Sequence, residues 1–194
     1  MVKKILVLFA SLNLFSNLLT ADPYIDLRAG YFRFLDSTLN DMYNKGGIDV
    51  QLCGAYPVYE QLQVYGAVEY FHRSGHPLDS DASTHVNGIP FSAGLQWMHD
   101  FYQSAKVYLS IGPRLSLLYF NDNTTYETPT FSTTNFGGFG NLGFLVDIGA
   151  NFCIDIFGEY SYLTANFPKK VVSDHDSKPQ VGGYCLGGGI AYKF

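Results

Sequence analysis

The feature that most constrains this chain is an alternation of bulky apolar side chains with small or polar ones at every second residue. Segment 182–194 shows it clearly, because its bulky residues fall on one face and its small residues and a lysine fall on the other. The bulky residues are Tyr184, Leu186, Ile190, Tyr192 and Phe194. Successive side chains of a β-strand point to opposite faces, so this segment is predicted to be a strand with one apolar face.

The same pattern predicts seven further strands, each about ten residues or longer, the length that a tilted strand needs to cross a bilayer. The eight predicted strands are 24–34, 47–56, 62–71, 88–98, 105–120, 138–148, 152–162 and 182–194. Long polar connections (36–46, 72–87, 121–135 and 164–181) alternate with short ones, as in antiparallel membrane barrels. The predicted fold class is therefore all-β, an eight-stranded antiparallel up-and-down transmembrane β-barrel that needs no helix.

The residue types on the two faces predict which face of the barrel points outward. An eight-stranded barrel leaves an interior just wide enough for side chains, so small residues belong inside and bulky ones outside. A soluble barrel of the lipocalin type has the opposite arrangement, with a polar outer face. Aromatic residues near the strand ends fit the girdles that mark the two membrane interfaces. These residues are Tyr24, Tyr31, Tyr56, Tyr70, Trp97, Tyr119, Tyr162 and Tyr192.

Strand pattern, loop alternation and an aromatic residue at position 194 together resemble the small eight-stranded bacterial outer-membrane β-barrel family. That family includes the membrane domain of outer-membrane protein A and outer-membrane proteins X and W. The resemblance implies short periplasmic turns and long extracellular loops, and it implies that Ile190, Tyr192 and Phe194 form the membrane-insertion signal used by the barrel-insertion machinery. It also implies outer-membrane lipid and lipopolysaccharide as neighbours, and a monomer is expected.

Residues 1–21 have the parts of a secretory signal peptide, which places the barrel at 22–194 and predicts export to the bacterial outer membrane. Lys3 and Lys4 form the positive end, residues 5–19 are largely apolar, and Ala21 ends a suitable cleavage site. The apolar run is interrupted by polar residues and is too short for a spanning helix. Removal of the two lysines changes the formal charge from −5 to about −7, which argues against nucleic acid as a partner.

Ten charged residues fall on the predicted inner face, where a charge must be paired or hydrogen-bonded. They are Asp26, Arg28, Asp49, Glu69, Lys106, Arg114, Asp147, Asp155, Glu159 and Lys193. Six acids against four bases predict a largely neutralised interior polar network; the alternative is a narrow path for ions or small molecules. The cysteines at positions 53, 153 and 185 fall on the same face and are expected to fill space. The alternative is one disulfide between two of them, with the third as a free thiol.

His72 and Ser74 form the only weak catalytic candidate. A His-x-Ser pair at this end of the third strand is similar to the outer-membrane lipid A deacylase family, in which the His activates a Ser nucleophile. That family places a Glu on the next strand at the position that Val86 occupies here, so the triad lacks its third member. The non-catalytic interpretation is favoured, in which His72 and Ser74 are simply polar residues where a strand leaves the membrane.

Acidic and histidine residues in the long connections are the remaining candidates, this time for a metal. The two groups are His72, His76, Asp79, Asp81 and His85, and Asp174, His175 and Asp176. Neither has the spacing of a known metal site, so no metal and no cofactor is expected.

The long loops carry the favoured functional hypothesis. They are rich in Thr, Asn, Ser and Asp and stand on a rigid scaffold, where binding functions are usual. The sequence therefore favours a non-enzymatic outer-membrane barrel of structural or surface-interaction type, whose loops bind a host surface or a protein ligand. The alternatives are a narrow pore or small-molecule carrier, and a lipid A-modifying hydrolase at His72 and Ser74.

Overall fold

The computed structural model describes residues 22–43, 46–75, 83–123, 130–164 and 180–194. Eight strands and one short helix follow one another in these residues. The strands are β1 (Tyr24–Phe34), β2 (Gly47–Tyr59), β3 (Leu62–Gly75), β4 (Ser83–Tyr102), β5 (Ala105–Asn123), β6 (Thr130–Gly149), β7 (Phe152–Thr164) and β8 (Gly183–Lys193), and the helix is α1 (Ser37–Met42).

The strands form one closed antiparallel barrel in which each strand pairs with its neighbours in the chain and β8 pairs back to β1. The closing ladder runs from Tyr24 opposite Lys193 to Phe34 opposite Gly183. Where all eight strands pair, closure leaves no unpaired sheet edge, which is the condition under which strands can stand in hydrocarbon. The predicted fold class is confirmed. We call the end with the three short connections the turn end and the opposite end the loop end.

Bulky apolar residues cover the outside of the barrel, as predicted. One outward row across four strands consists of Val68, Phe91, Leu115 and Phe136, which are 45%, 40%, 40% and 69% exposed. The inside instead buries polar groups together with scattered aromatic rings. The prediction for Tyr24 was wrong: this residue is 2% exposed and points inward, because it keeps the alternation of β1 instead of joining the outer girdle.

Strands β4, β5 and β6 are 20, 19 and 20 residues long, whereas β1 and β8 have 11 residues each. The predicted connections 72–87 and 121–135 were accordingly too long, because the strands continue into them from both sides. The outward residues of these extensions are polar, since they lie beyond the apolar band, and this hid the alternation. At the loop end, β3, β4, β5 and β6 end within two residues of one another in register, and β6 continues six residues beyond the last residue of β7. The barrel wall is therefore higher on this side of the loop end.

Helix α1 lies in the first long connection, where no helix was expected. Asp36 caps it, since its Oδ1 accepts hydrogen bonds from the backbone N–H groups of Thr38 (2.9 Å) and Leu39 (3.1 Å). Asn40 is buried and donates from its Nδ2 to the Phe34 carbonyl at 2.6 Å. These contacts fold the connection back onto the end of β1. No helix among the described residues is long and apolar enough to cross a bilayer.

Candidate functional site

Two arginines organise the interior of the barrel, and Arg28 is the one nearer the turn end. Its Nε lies 2.5 Å from Asp26 Oδ2 and 2.7 Å from Asp155 Oδ2, and all three side chains are fully buried. The Tyr108 hydroxyl donates to Asp155 at 2.9 Å, and the guanidinium lies over the rings of Tyr108 and Phe157. One cation thus joins β1 and β7 while two rings cover its faces.

Arg114, nearer the loop end, also pairs with two buried carboxylates and joins several strands. Its Nη2 contacts Glu69 and lies 2.7 Å from Glu159 Oε1, and its Nε donates to Ser92 at 2.8 Å. The guanidinium also lies 5.2 Å from the centre of the Phe139 ring. Arg114 therefore joins β3, β5 and β7 across the lumen, in a space where its two carboxylate partners are 2% exposed.

Asp49 is the buried carboxylate that neither arginine pairs with. It is 1% exposed, and neither side-chain oxygen has a hydrogen-bond partner among the described residues. The buried acids and guanidiniums of the described lumen are Asp26, Asp49, Glu69, Asp155 and Glu159 against Arg28, Arg73 and Arg114. The lumen therefore holds more acids than cations, and a sealed carboxylate without a partner carries a free-energy cost unless it is neutralised.

Lys106, Lys193 and Asp147 lie at the rim of the turn end, outside the sealed part of the network. Lys193 contacts Asp147, whose side chain is 39% exposed, and Lys106 Nζ lies 3.6 Å from Asp100 Oδ1. Lys106, Asp147 and Lys193 line a small open pocket of about 30 Å³ together with Cys153. The ten predicted network residues are thus divided by burial into a sealed set and a rim set.

Aromatic side chains close the lumen at the loop end. Phe32 stacks on Phe71 at 5.3 Å between ring centres, and Phe34 meets Phe32 edge-on at 5.1 Å. Tyr43, which follows α1, packs 6.2 Å from Phe34, and its hydroxyl lies 3.3 Å from Thr84 Oγ1. We call Phe32, Phe34, Tyr43 and Phe71 the aromatic cap, because they lie across the barrel above Arg114.

Arg73 holds the aromatic cap to the barrel wall and was missed by the sequence analysis. Its Nη1 donates to the carbonyls of Ile48 (2.6 Å) and His72 (2.7 Å), and its guanidinium lies over the rings of Phe32 and Phe71. The polar composition of 72–87 predicts a loop there, and this prediction hides the inward position of Arg73. The signal was present, since alternation from His72 and Ser74 on the outside places Arg73 inside.

His72 and Ser74 point outward at the loop end of β3, beside polar residues of three neighbouring strands. The register places His72 opposite Asn87, Asn87 opposite Tyr119, and Tyr119 opposite Ser132. The next row places Ser74 opposite His85, and His85 opposite Asn121. We call these seven residues the outer polar patch: His72, Ser74, His85, Asn87, Tyr119, Asn121 and Ser132.

Asn87 orients the imidazole of His72. Its Oδ1 lies 2.7 Å from His72 Nδ1 and accepts from the Tyr70 hydroxyl at 3.2 Å. The rings of His72 and His85 are nearly parallel, with centres 5.7 Å apart. An amide oxygen thus takes the place at which the sequence analysis looked for a carboxylate; Val86 itself is 1% exposed and points into the barrel.

The three cysteines at positions 53, 153 and 185 are buried and free, and none forms a disulfide. Tyr65 donates its hydroxyl hydrogen to the sulfur of Cys53 at 3.3 Å. Gly30 lies so close to Cys185 that any side chain at position 30 would collide with the sulfur. The structure therefore places these thiols where the sequence analysis expected space-filling residues.

The predicted insertion signal lies on the outer face of the closing strand. Tyr192 meets Phe152 and Phe194 edge-on at 5.1 Å and 5.2 Å between ring centres, and Ile190 is 59% exposed. The Phe194 N–H donates to the Pro23 carbonyl at 3.0 Å, which ties it to the start of β1.

Of the residues considered for a metal, only His72 and His85 are described. His76, Asp79, Asp81, Asp174, His175 and Asp176 lie outside the described residues. Within the part of the chain that the structure describes, no group of three or more His, Cys, Asp or Glu side chains is arranged to hold a metal ion.

No protein-family model matches the chain, and no curated protein sequence matches it. Among solved structures, outer membrane protein OprG from Pseudomonas aeruginosa matches with a TM-score of 0.59 at 15% identity, over 90% of this chain and 96% of that one. Neisserial surface protein A matches with a TM-score of 0.55 at 17% identity, over 90% and 98%. Ail, the attachment invasion locus protein of Yersinia pestis, matches with a TM-score of 0.53 at 17% identity, over 88% and 98%, and is also solved with the heparin analogue sucrose octasulfate. The chain therefore has the fold of the eight-stranded outer-membrane β-barrels.

Proposed function

We propose that this protein is a non-enzymatic outer-membrane β-barrel that acts through surface interactions at its loop end. The observation that carries the proposal is the closed lumen. Arg28 and Arg114 each pair with two buried carboxylates, and the aromatic cap covers the loop end above them. A barrel filled in this way has its outer surfaces and loops left for function.

The orientation in the membrane follows from the connections. Short turns face the periplasm and long loops face the outside in barrels of this kind. Residues 1–21 would direct export, and Ile190, Tyr192 and Phe194 would be read by the barrel-insertion machinery. This orientation puts the higher wall formed by β3 to β6 at the cell surface.

The height of this wall supports a display role. Beyond Phe136, which pairs with Thr164 at the loop end of β7, strand β6 continues for six residues to Thr130, and this corresponds to about 20 Å along a strand. A rigid sheet that stands above the membrane presents its outer end at the cell surface, where a host surface or protein ligand is accessible. Ail, a structural neighbour, is named for attachment and invasion.

Attachment of bacteria to cultured epithelial cells tests the display role. A non-adherent strain expressing the chain is expected to attach more than the same strain with an empty vector. Replacement of residues 124–129 by a Gly-Ser linker of equal length is expected to remove most of the gain. The control is the same replacement of residues 149–151 at the turn end. Equal attachment with and without the protein would contradict the proposal.

A narrow pore is the first alternative, and planar-bilayer recording separates it. The paired arginines and the aromatic cap predict no steady single-channel current for the native protein. Removing the cap by combining Phe32→Ala with Phe71→Ala tests whether the cap is what closes the loop end. Steady channels in the native protein would favour the pore.

A lipid A-modifying hydrolase is the second candidate, and the Asn87 contact favours it. An amide oxygen 2.7 Å from His72 Nδ1 is the kind of orienting group that a His general base needs. Mass spectrometry of lipid A from cells expressing the protein decides between the candidates. Loss of an acyl chain that Ser74→Ala abolishes would establish the hydrolase, and unchanged lipid A supports the non-enzymatic role.

A further inference from the structure

The outer polar patch faces sideways from the barrel, directly above the apolar surface. On the same four strands, the row of Val68, Phe91, Leu115 and Phe136 is apolar and exposed. The row that begins at His72 lies four residues further along β3, about 13 Å along the strand. If the barrel sits in the outer membrane as proposed, the patch lies level with the headgroups of the outer leaflet.

None of the seven patch residues is Lys, Arg, Asp or Glu. They provide hydroxyl, amide and imidazole groups, which both donate and accept hydrogen bonds and include no ammonium or carboxylate group. Phosphate recognition calls for Arg or Lys, and neither is present on these two rows. Neutral groups of this kind match the hydroxyls of a sugar.

The patch is also held in shape. Tyr70 and His72 both contact Asn87 Oδ1, and His72 stacks on His85. Tyr119 is 44% exposed in the same row, with an apolar ring and a hydroxyl group. A flat ring beside fixed hydrogen-bonding groups suits a sugar ring, which has both C–H faces and hydroxyl edges.

We propose that the outer polar patch binds the saccharide of an outer-leaflet glycolipid. The glycolipid is lipopolysaccharide standing beside the barrel, and the patch contacts its core sugars. The inference rests on the proposed membrane location. It assigns the patch a lipid-anchored carbohydrate because the patch faces along the membrane and continues the lipid-contacting surface upward. A second copy of this chain is the competing occupant, and the experiment separates the two.

The test uses the full-length mature protein refolded in phospholipid vesicles that contain either rough lipopolysaccharide with core sugars or the matching lipid A without them. After extraction in mild detergent, native mass spectrometry counts the glycolipid molecules retained per barrel. The native protein is expected to retain the sugar-bearing form about tenfold better than lipid A, as loss of one or two hydrogen bonds predicts.

The combined variant His72→Ala, Asn87→Ala and Tyr119→Ala is expected to lose this preference. The matched control changes a similar cluster at the turn end, where Trp97 donates to Gln61 and stacks on His99, by Gln61→Ala, Trp97→Ala and His99→Ala. The control variant should keep the preference. Asn87→Leu alone keeps the fold least disturbed and should reduce the preference about threefold.

Equal retention of both glycolipids by the native protein, or an unchanged preference in the patch variant, would overturn the inference. A native dimer that the patch variant converts to a monomer, without any change in glycolipid retention, would assign the patch to a second copy instead. The heat-modifiable gel mobility of each sample is recorded at the same time. A folded, membrane-inserted barrel without sugar preference refutes only this inference, whereas failure of the native protein to insert refutes the proposed location as well.

Discussion

Replacing Arg114 by Met should destabilise the barrel strongly, because it leaves Glu69 and Glu159 facing each other without their shared cation. Removal of one partner from a buried ion pair costs about 3–5 kcal/mol. The substitution also removes the hydrogen bond to Ser92 and the contact with the Phe139 ring. We therefore expect the free energy of unfolding to fall by about 3–5 kcal/mol.

Urea unfolding of the refolded barrel measures the change. The fluorescence of Trp97, the single tryptophan, and the heat-modifiable gel band report unfolding independently. With a typical dependence of about 1–3 kcal/mol per molar urea, the midpoint should fall by about 1–5 M. Agreement between the two probes shows that one transition is being followed.

A second variant separates charge from packing. Combining Arg114→Met with Glu69→Gln and Glu159→Gln removes the two uncompensated carboxylates and should recover more than half of the loss. Lys193→Met at the rim is the comparison, because its partner Asp147 is partly exposed and the effect should be much smaller. If Arg114→Met shifts the midpoint no more than Lys193→Met, or the triple variant is no better than the single one, the reasoning is wrong.

Substitutions at three further positions test other parts of the molecule by the same unfolding assay. Asp49→Asn should leave stability unchanged or raise it, because it removes a buried carboxylate without a described partner; a clear loss would show that the charge is compensated. Gly88→Leu should weaken the aromatic cap, since a side chain there would collide with the Phe71 ring, and Gly88→Ala should do so less; equal effects would contradict the close contact. Asp36→Ala should cost about 1 kcal/mol as the cap of α1 is lost, whereas Asp36→Asn should keep most of the stability, and the reverse order would refute the capping role.

The sequence predicts the fold of this protein well because a membrane barrel depends on alternation, which a single sequence displays. Residues two apart share a face, so Asp26 and Arg28 were placed inside without any structure. The partner Asp155 was placed inside as well, but its contact with Arg28 depends on the register of strands far apart in the chain. Alternation gives the face of a residue and does not give its height in the barrel.

Two parts of the site were not predicted, and both lie at the loop end. The alternation of outward residues loses its apolar character once the strand leaves the lipid, so Arg73 was hidden in a supposed loop. The resemblance to the deacylase family puts the residue that would orient His72 in a catalytic triad at position 86, which is Val86 here. The register instead places Asn87 opposite His72. A change of one residue in a strand exchanges inside and outside, so a position inferred from another family cannot replace the register.

The closing ladder between β1 and β8 has a consequence for how the barrel forms. Tyr24 pairs with Lys193, so this ladder joins the two most distant parts of the described chain, whereas the other ladders link consecutive strands. Contacts between neighbouring strands can form early at a small entropic cost, and long-range pairing comes later. Until β8 arrives, β1 is an open edge that can pair with another chain. The period before closure is therefore when the protein is most exposed to aggregation, and the rate of closing the last ladder sets how long that period lasts.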